Sequence, residues 1–209
     1  AGLIALGIAL RWPSDQKHRL ELGPLLQRMG KGFREVGSNF SVLITSLVEA
    51  FQYMAVGVVD AFLPIYAKLT AGLVEWQIGL LFAVQMATTS LLKPLMGAVS
   101  DQFGRKPQII IGLVLGGLAL WRIPWQTTFA SICLLIIIFG IAVALTTSAT
   151  SALITDLCAR EHYGAAHGVF GTILDVGHAA GPISAGFLIG ALGYRPSFAI
   201  FSVILILAS

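Results

Sequence analysis

The sequence predicts an all-α protein of the polytopic transmembrane type, a bundle of helices that each cross a lipid bilayer. Of its 209 residues, 56% are hydrophobic and only 11% are charged, whereas soluble domains carry about 25% charged residues. Apolar runs close to the bilayer-spanning length of about 20 residues recur along the chain. Most links between the runs are short, as in compact helical bundles. A soluble core of this size could not bury so much apolar surface, so lipid is the expected solvent.

Six apolar runs are predicted to form the bundle, which covers residues 41–209. In chain order they are Ser41–Tyr66, Trp76–Val99, Ile109–Ile123, Phe129–Thr155, Gly164–Leu192 and Pro196–Ser209. The third run lies between Pro107 and Pro124, and proline suits helix ends better than helix interiors. The fifth run is unusually rich in glycine. The sixth opens a helix that the sequence does not finish, so a truncated last helix is expected.

The first forty residues are predicted to form a separate region. Ala1–Leu10 is apolar and is interpreted as the end of a preceding transmembrane helix. Arg11–Phe40 is long and polar, holds six Lys and Arg residues, and is interpreted as a cytoplasmic central loop. Within it, apolar side chains recur at helical spacing: Leu22, Leu25, Leu26, Met29 and Phe33. Cations lie between them, which is typical of an amphipathic helix on a membrane surface. The alternative is a flexible linker with scattered apolar residues.

The basic residues are unevenly distributed among the links, and their distribution predicts the orientation of the bundle. Links rich in Lys and Arg face the cytoplasm. With Arg11–Phe40 inside, the cytoplasmic links hold ten Lys and Arg residues and the outer links hold three, Lys68, Arg122 and Arg195. Four aromatic residues then fall at the outer membrane edge, where an aromatic belt is expected. They are Trp76, Trp121, Trp125 and Tyr194.

The sharpest local pattern is GAVSDQFGRKP, which begins at Gly97 and follows the second run. Gly97 is expected to let a neighbouring helix approach closely. Asp101 is expected to accept hydrogen bonds from a helix N-terminus or to pair with a cation. Gly104 is expected to take the left-handed conformation that ends a helix, while Arg105 and Lys106 hold the turn at the inner surface. The alternative is an ordinary helix hairpin with positive charges on the inside.

This stretch resembles the loop signature of the major facilitator superfamily, G-x-x-x-D-x-x-G-R-K/R, which in that family follows the second helix of each six-helix half. A second stretch, GHAAGPISAG, resembles the Gly-Pro motif of the fifth helix of a half. Its matching residues are Gly177, Gly181, Pro182 and Gly186. A weaker match, Asp156–Gly168, resembles the loop before that helix. The resemblance covers Ser41 to Ser209.

The resemblance implies half of a twelve-helix transporter that works by alternating access, with two halves rocking about a central site. The preceding span and the long basic loop point to the C-terminal half, because family members join their halves in this way. The implied partners are a small-molecule substrate (a drug, sugar or metabolite), the lipid bilayer of the cell (inner) membrane, and the N-terminal half of the same transporter. The Gly-Pro motif is best known as an antiporter mark in the first half, so here it does not decide between symport and antiport.

Polar and ionisable residues within the runs are candidates for a substrate or proton site, because such groups are costly in a membrane and usually functional. Glu49, Tyr53 and Asp60 lie on one face of the first run, and Gln52 lies beside them. Gln85 is a further candidate, in the second run. The alternative for Glu49 and Asp60 is that each simply reaches interfacial water.

Asp175 and His178 are i, i+3 neighbours near the middle of the fifth run. A carboxylate and an imidazole in such a place can exchange a proton, so coupling to protons is a hypothesis. The alternative is a structural pair, or a hydrogen bond from His178 to a backbone carbonyl. The fourth run adds hydroxyl groups that are substrate contacts or, alternatively, helix-packing groups. They belong to Thr146, Thr147, Ser148, Thr150 and Ser151.

Sequence signatures of enzymes, metal sites and nucleotide sites are missing. There is no phosphate-binding loop, H-E-x-x-H, C-x-x-C or G-x-S-x-G pattern, so neither an enzyme nor a cofactor or metal site is predicted. The net charge of +3 is too small to indicate nucleic-acid binding. Cys133 and Cys158 lie roughly 37 Å apart along one helix and are interpreted as packing residues. The alternative function is a non-transporting receptor or a membrane enzyme that reuses the bundle.

Overall fold

The computed structural model describes residues 39–158 and 163–209. Nearly all of these residues are helical, and they form six α-helices joined by short links. The predicted end of a preceding helix at Ala1–Leu10 lies outside the described residues. So do residues 11–38 of the predicted central loop, with its amphipathic helix, and Arg160.

The six helices correspond to the six predicted apolar runs, which confirms the all-α prediction. They are α1 (Phe40–Leu69), α2 (Glu75–Phe103), α3 (Arg105–Arg122), α4 (Phe129–Leu157), α5 (Tyr163–Leu192) and α6 (Tyr194–Leu207). A short 3-10 helix, Ile123–Trp125, follows α3. Several helices extend beyond their apolar runs, because polar residues at a membrane edge continue the backbone hydrogen bonding. Among the described helices, α1 to α5 are long and apolar enough to cross a membrane, while α6 is apolar but shorter.

Polar caps and one glycine fix where helices begin and end. Asn39 Oδ1 accepts the backbone N–H of Ser41 at 3.1 Å, and Thr128 Oγ1 accepts that of Ser131 at 3.4 Å. These bonds satisfy N–H groups that the first helical turn leaves free. Gly104 alone separates α2 from α3, with a φ of +96°, which is a backbone conformation that glycine adopts at little cost.

The packing of the helices has an internal symmetry. The most extensive contact of α1 is with α5, that of α2 is with α4, and α3 packs against both α4 and α6. If α1, α2 and α3 are exchanged with α4, α5 and α6, respectively, the α1–α5 contact becomes the α4–α2 contact. The correspondence is partial, because the extensive α3–α4 contact has only a small α1–α6 counterpart. α2 and α5, which are equivalent under the exchange, are the least buried of the spanning helices.

Contacts between helix ends reveal which links share a side of the bundle. The Tyr66 hydroxyl near the end of α1 donates to the carbonyl of Gln126, between α3 and α4, at 2.7 Å. At the opposite side, Arg105 at the start of α3 donates to Asp156 at the end of α4, with an Nε to Oδ2 distance of 3.1 Å. Alternate links therefore lie on the same side, as the charge pattern predicted. Which side faces the cytoplasm stays a prediction.

Large apolar side chains divide between an interior core and an outward surface. The fully buried ones include Leu63, Leu81, Leu113, Ile136, Phe139 and Phe198. Others on the same kind of helix remain largely exposed, among them Met86, Leu91 and Phe187. Soluble monomers rarely expose large contiguous apolar patches, so these side chains fit contact with lipid or with another membrane-embedded bundle.

Candidate functional site

An exposed polar pair joins α1 to α5 and brings together two of the predicted site residues. His178 Nε2 of α5 lies 3.2 Å from Asp60 Oδ2 of α1. Their side chains are 43% and 42% exposed, respectively, so the pair is open on one side rather than sealed within the bundle. The two residues are far apart in sequence, and only the packing of α1 on α5 brings them into contact.

The partner of His178 differs from the one the sequence suggested. Spacing favoured Asp175, one turn away on the same helix, but the imidazole turns towards Asp60, and no hydrogen bond joins it to Asp175 among the described residues. Asp175 is exposed on α5. Tyr53 lies beside both His178 and Asp175. Its ring centroid is 6.4 Å from that of the His178 imidazole, and it is close enough to Asp175 for electrostatic interaction.

Each member of the pair also lies four residues before a proline in its own helix. Pro64 follows Asp60 in α1, and Pro182 follows His178 in α5. Because proline has no backbone N–H, the carbonyl groups of Asp60 and His178 lose their usual helical hydrogen bonds. The Asp60–His178 contact therefore joins α1 and α5 at the turns where each helix lacks a backbone hydrogen bond and bends more easily.

Glycines let the backbones of α1 and α5 touch beneath this pair. A Cβ atom added at Gly177 would clash with the backbone of Ala50, and one at Gly181 would clash with the backbone of Met54. On α1, a Cβ at Gly57 would clash with the backbone of α5 in the same way. This close approach explains why Asp60 lies within reach of His178.

Two other glycines of the predicted motifs have room around them. No described heavy atom lies within 4 Å of a Cβ built at Gly97, so the close neighbouring helix expected there is not among the described residues and stays a prediction. A Cβ at Gly186 would lie 3.7 Å from Phe62, which is an ordinary contact. The reason in both cases is that these positions lie on the less buried faces of α2 and α5.

A second polar cluster is buried between α1 and α4. The side chains of Glu49, Gln52 and Thr150 are completely buried, and Thr150 Oγ1 lies 3.0 Å from Glu49 Oε2. Among the described residues, Glu49 Oε1 and both polar atoms of the Gln52 amide have no hydrogen-bond partner. Buried polar atoms are nearly always hydrogen-bonded, so three partnerless atoms on neighbouring side chains are unusual. The alternative that Glu49 reaches interfacial water does not fit this burial.

Gln85 belongs to neither cluster. It is buried on α2, and its backbone carbonyl lies against Gly140 of α4, 3.2 Å from where a Cβ would stand. Thr89, one turn further along α2, donates to the carbonyl of Gly140 at 3.2 Å. No described hydrogen bond links Gln85 to the residues of the other two clusters, so the structure gives it a place between α2 and α4.

Arg105 connects three parts of the chain at the turn between α2 and α3. Its guanidinium Nη1 lies 2.5 Å from Asp101 Oδ1 and donates to Ser100 Oγ at 2.5 Å, while its Nε lies 3.1 Å from Asp156 Oδ2. Asp101 therefore pairs with a cation, one of the two roles predicted for it. Gly104 has the predicted positive φ, but its ψ of 150° is extended rather than left-handed helical.

The amino-acid sequence matches a known family along most of the chain. The family model described as Major Facilitator Superfamily matches residues 45–209. The chain belongs to the major facilitator superfamily. This family assignment confirms the resemblance found in the two sequence motifs.

Three similar proteins carry names that refer to multidrug resistance, efflux or amine transport. The chain is 26% identical over 183 residues to Multidrug resistance protein 2 of Bacillus subtilis, covering 87% of this chain and 44% of that protein. It is 28% identical over 164 residues to a multi-drug resistance efflux pump of Streptococcus pneumoniae, covering 74% and 39%, respectively. It is 23% identical over 193 residues to the chromaffin granule amine transporter of Rattus norvegicus, covering 91% and 36%.

The chain spans less than half the length of each of these curated relatives. The names of these three relatives refer to resistance, efflux and amine transport. Together with the five described helices that are long and apolar enough to span a bilayer, membership of the superfamily identifies an integral, multi-pass membrane protein.

Two contacts of this superfamily member escaped the sequence analysis. Gln108 Nε2, at the start of α3, lies 3.0 Å from the carbonyls of Met96 and Leu145 and 3.0 Å from Ser148 Oγ, so it ties α3 to both α2 and α4. The pairing of Arg105 with Asp156 was missed as well. A glutamine directly after Pro107, at the start of an apolar run, was the available sequence sign of the first. Nothing local indicated the second, because its partners are 51 residues apart.

Proposed function

We propose that the chain is the C-terminal half of a secondary transporter that moves a small solute by alternating access and couples the movement to protons. The observation that carries this proposal is the half-exposed pair Asp60–His178 on helices apolar enough to span a bilayer. Ionisable groups in spans rarely face lipid and usually face a water-filled cavity or the bundle interior. The face of α1 and α5 that holds the pair therefore lines the substrate path, with Tyr53 and Asp175 beside it.

An N-terminal half of similar size is the proposed partner. Its existence is supported by the greater length of the relatives, of which the chain covers 36–44% in the three cases given above. It is also supported by the weak burial of α2 and α5. A second bundle packed on these helices would cover Leu91 and Phe187 and enclose the substrate path. Residues 11–40 would then connect the halves on the cytoplasmic side of the cell membrane.

The proposed substrate class is lipophilic organic cations. Asp60 and Asp175 supply exposed carboxyl groups to the path, and Tyr53 supplies an aromatic ring. Carboxylates attract a positive charge, and aromatic faces add to the binding of organic cations. The names of the relatives, two for multidrug resistance and one for amine transport, support this class over sugars.

Competition for one acidic group gives a simple route to exchange. The Asp60 carboxyl can hold either a proton or the positive charge of the substrate. When the substrate binds, the carboxyl O–H bond breaks and the proton passes to water on the side to which the path is open. One proton then moves in the direction opposite to one substrate molecule, which makes antiport the proposed mode.

The contacts of Arg105 are proposed to close the inner side. The guanidinium holds the α2–α3 turn against Asp156 at the end of α4, so the inner path can open only if this contact loosens or moves. Lys106 is exposed beside it and is proposed to hold the turn at the membrane surface. Charge-assisted arginine–carboxylate contacts combine strength with a defined geometry, which suits a closure that must re-form in every cycle.

The test uses the full-length transporter containing this sequence, reconstituted in proteoliposomes with an imposed pH gradient. Uptake of ethidium, a fluorescent organic cation, is measured with and without a protonophore. We expect gradient-driven accumulation that the protonophore abolishes. Asp60→Asn should lose accumulation and weaken ethidium exchange, because the same carboxyl is proposed to carry the proton and to bind the organic cation. Glu75→Gln, an exposed acid at the membrane edge, is the matched control and should behave as wild type. Accumulation in Asp60→Asn equal to wild type would overturn the role of this face.

A further inference from the structure

A cavity of about 280 Å³ opens on the side of the bundle opposite the α2–α3 turn. It lies where three parts of the chain meet: the end of α1, the link between α3 and α4, and the start of α6. Each part contributes two side chains to its walls. These are Tyr66 and Thr70, Trp125 and Thr127, and Tyr194 and Arg195, respectively. None of these lining residues takes part in the proposed transport cycle, so the cavity is a separate site.

Arg195 gives the cavity a positive charge. Its guanidinium carbon lies 4.4 Å from the ring centroid of Trp125. No acidic side chain is among the residues described as lining the cavity, and within residues 39–158 and 163–209 the guanidinium has no ion pair. Glu75, an acid at the start of α2, is paired with Lys68 instead. The charge of Arg195 therefore repels the organic cations of the proposed transport path and attracts an anion.

Stacking on Trp125 holds the guanidinium by its flat face. Such a cation–π contact is favourable and uses the face of the planar group. The N–H groups of arginine lie in the plane of the guanidinium, so the stacking leaves them free to donate hydrogen bonds. In-plane donors match the spacing of two oxygens on a phosphate or a carboxylate. Trp125 and Arg195 together are thus oriented to receive an anion before it arrives.

Further donors surround the Arg195 guanidinium. The side chains of Thr70 and Thr127 are exposed, and their hydroxyls make no hydrogen bond to another described residue. α6 begins at Tyr194, and no described side chain caps it, so the first N–H groups of this helix add a partial positive charge. A phosphate group, which has more acceptor oxygens than a carboxylate, can use more of these donors at once.

The surroundings of the cavity favour a lipid over a soluble anion. Trp125 and Tyr194 are residue types typical of the edge of a membrane. From the cavity towards the middle of the bundle, α3 and α6 pack together and expose large apolar side chains on which acyl chains can lie. They include Leu118, Trp121, Ile200 and Val203. The cavity volume is close to the lower end of ligand pockets, about 300 Å³, which suits a headgroup rather than a whole lipid.

We infer that this cavity binds the phosphate-bearing headgroup of an anionic phospholipid, with Arg195 as the main donor and the hydroxyls of Thr70 and Thr127 as further donors. The inference needs a bilayer around the bundle, but it does not depend on the proposed proton coupling or on the transported solute.

A headgroup in this cavity would connect α1, the α3–α4 link and α6. The Tyr66 hydroxyl already donates to the carbonyl of Gln126 across the same junction. Pro64 lies two residues before Tyr66 and weakens α1 against bending, so the end of α1 is held mainly by its contacts. A bound lipid therefore stabilises this arrangement of the helix ends.

Native mass spectrometry of the full-length transporter tests the site, after lipid is removed in an uncharged detergent and dioleoyl phosphatidylglycerol is titrated back. We expect one lipid to bind wild type more tightly than all further ones. Arg195→Gln should weaken this first binding event about tenfold, because hydrogen bonds from a charged group are lost. Thr127→Val, which keeps every charge and ring, should weaken it about threefold. Arg122→Gln is the matched control, because this exposed cation of α3 does not line the cavity, and it should bind as wild type.

Two results would overturn the site: wild-type affinity in Arg195→Gln, or an equal loss in Arg195→Gln and Arg122→Gln, which would indicate diffuse attraction to surface cations. The unfolding temperature of each lipid-free variant shows whether it is folded. If Arg195→Gln does not fold, Thr127→Val decides, and unchanged first binding in that variant rejects the site.

Two further ligands identify the source and the charge of the phosphate. Glycerol phosphate carries the phosphate without acyl chains and should bind much more weakly than phosphatidylglycerol. Equal affinity would assign the cavity to a soluble phosphate ester and overturn the lipid assignment. Phosphatidylcholine carries a cation that offsets its phosphate, so it should also bind more weakly. Equal binding of the two lipids would contradict recognition of net negative charge by Arg195.

Discussion

Two acidic residues of one helix, Glu49 and Asp60, occupy opposite environments. They are eleven residues apart on α1 and lie on nearly the same helical face. Glu49 is fully buried against α4 with Thr150 as its described neighbour, whereas Asp60 is half-exposed and contacts His178 of α5. The difference arises because α1 packs on different helices along its length.

This contrast separates two ways in which an acid can take part in transport. An exposed carboxyl exchanges protons with water and can also bind a charged solute, so its protonation state depends on the contents of the path that it lines. A buried carboxyl exchanges its proton with water only when the surrounding helices move, so its protonation state depends on the conformation of the protein.

The largest expected effect comes from reversing the charge at the two sites. Glu49→Lys places an unpaired cation in a fully buried site and should destabilise the folded protein by more than about 3 kcal/mol. Asp60→Lys has solvent access, so it should fold near-normally and lose only transport. Thermal unfolding in detergent, with the yield of monodisperse protein, measures both. Equal stability of the two variants would contradict the difference in burial.

A smaller loss of stability is expected from separating α1 from α5. Gly181→Leu forces a side chain into the backbone of α1 and should cost about 2 kcal/mol, and it should break the Asp60–His178 contact without removing either residue. Gly190→Leu is the control on the same helix, because no described atom lies within 4 Å of its Cβ position. Comparable unfolding temperatures for the two leucine variants would rule out the close seam as the support of the exposed pair.

The direct coupling within the exposed pair should be modest. A double-mutant cycle of Asp60→Asn and His178→Gln should give about 0.5 kcal/mol, because solvent weakens half-exposed polar pairs. A parallel cycle on Lys68 and Glu75, which contact each other at 2.8 Å on the surface, should give no measurable coupling. If the Asp60–His178 cycle also gave zero coupling, that pair would have no energetic role.

The smallest change in stability, with a clear change in transport, is expected at Pro182. Pro182→Ala restores a backbone donor for the carbonyl of His178 but also frees the unfolded chain, and these effects offset each other. A stiffer α5 should slow ethidium exchange while leaving the unfolding temperature nearly unchanged. Pro94→Ala, in α2 and away from the pair, is the control. Unaltered exchange in Pro182→Ala would show that bending at this position has no part in transport.

The sequence by itself determined the elements of this protein. Apolar length located all six described helices, because a segment in lipid must satisfy its own backbone hydrogen bonds and therefore becomes a helix. The alternation of positively charged links predicted which links lie on the same side of the bundle. The motif around Gly104 predicted the turn between α2 and α3 and its positive φ. The two motifs also identified the superfamily, since their order and spacing are a property of the chain alone.

Contacts across helices were decided only by the tertiary structure. Helical spacing along α5 predicted Asp175 as the partner of His178. Because glycines let α1 approach α5 closely, the partner is instead Asp60, 118 residues away in sequence. Glu49 and Asp60 looked alike from helical periodicity, and only the neighbours of α1 buried one and exposed the other. The physical reason is that hydrophobicity and turn chemistry act locally, whereas the environment of a side chain depends on which helices pack beside it.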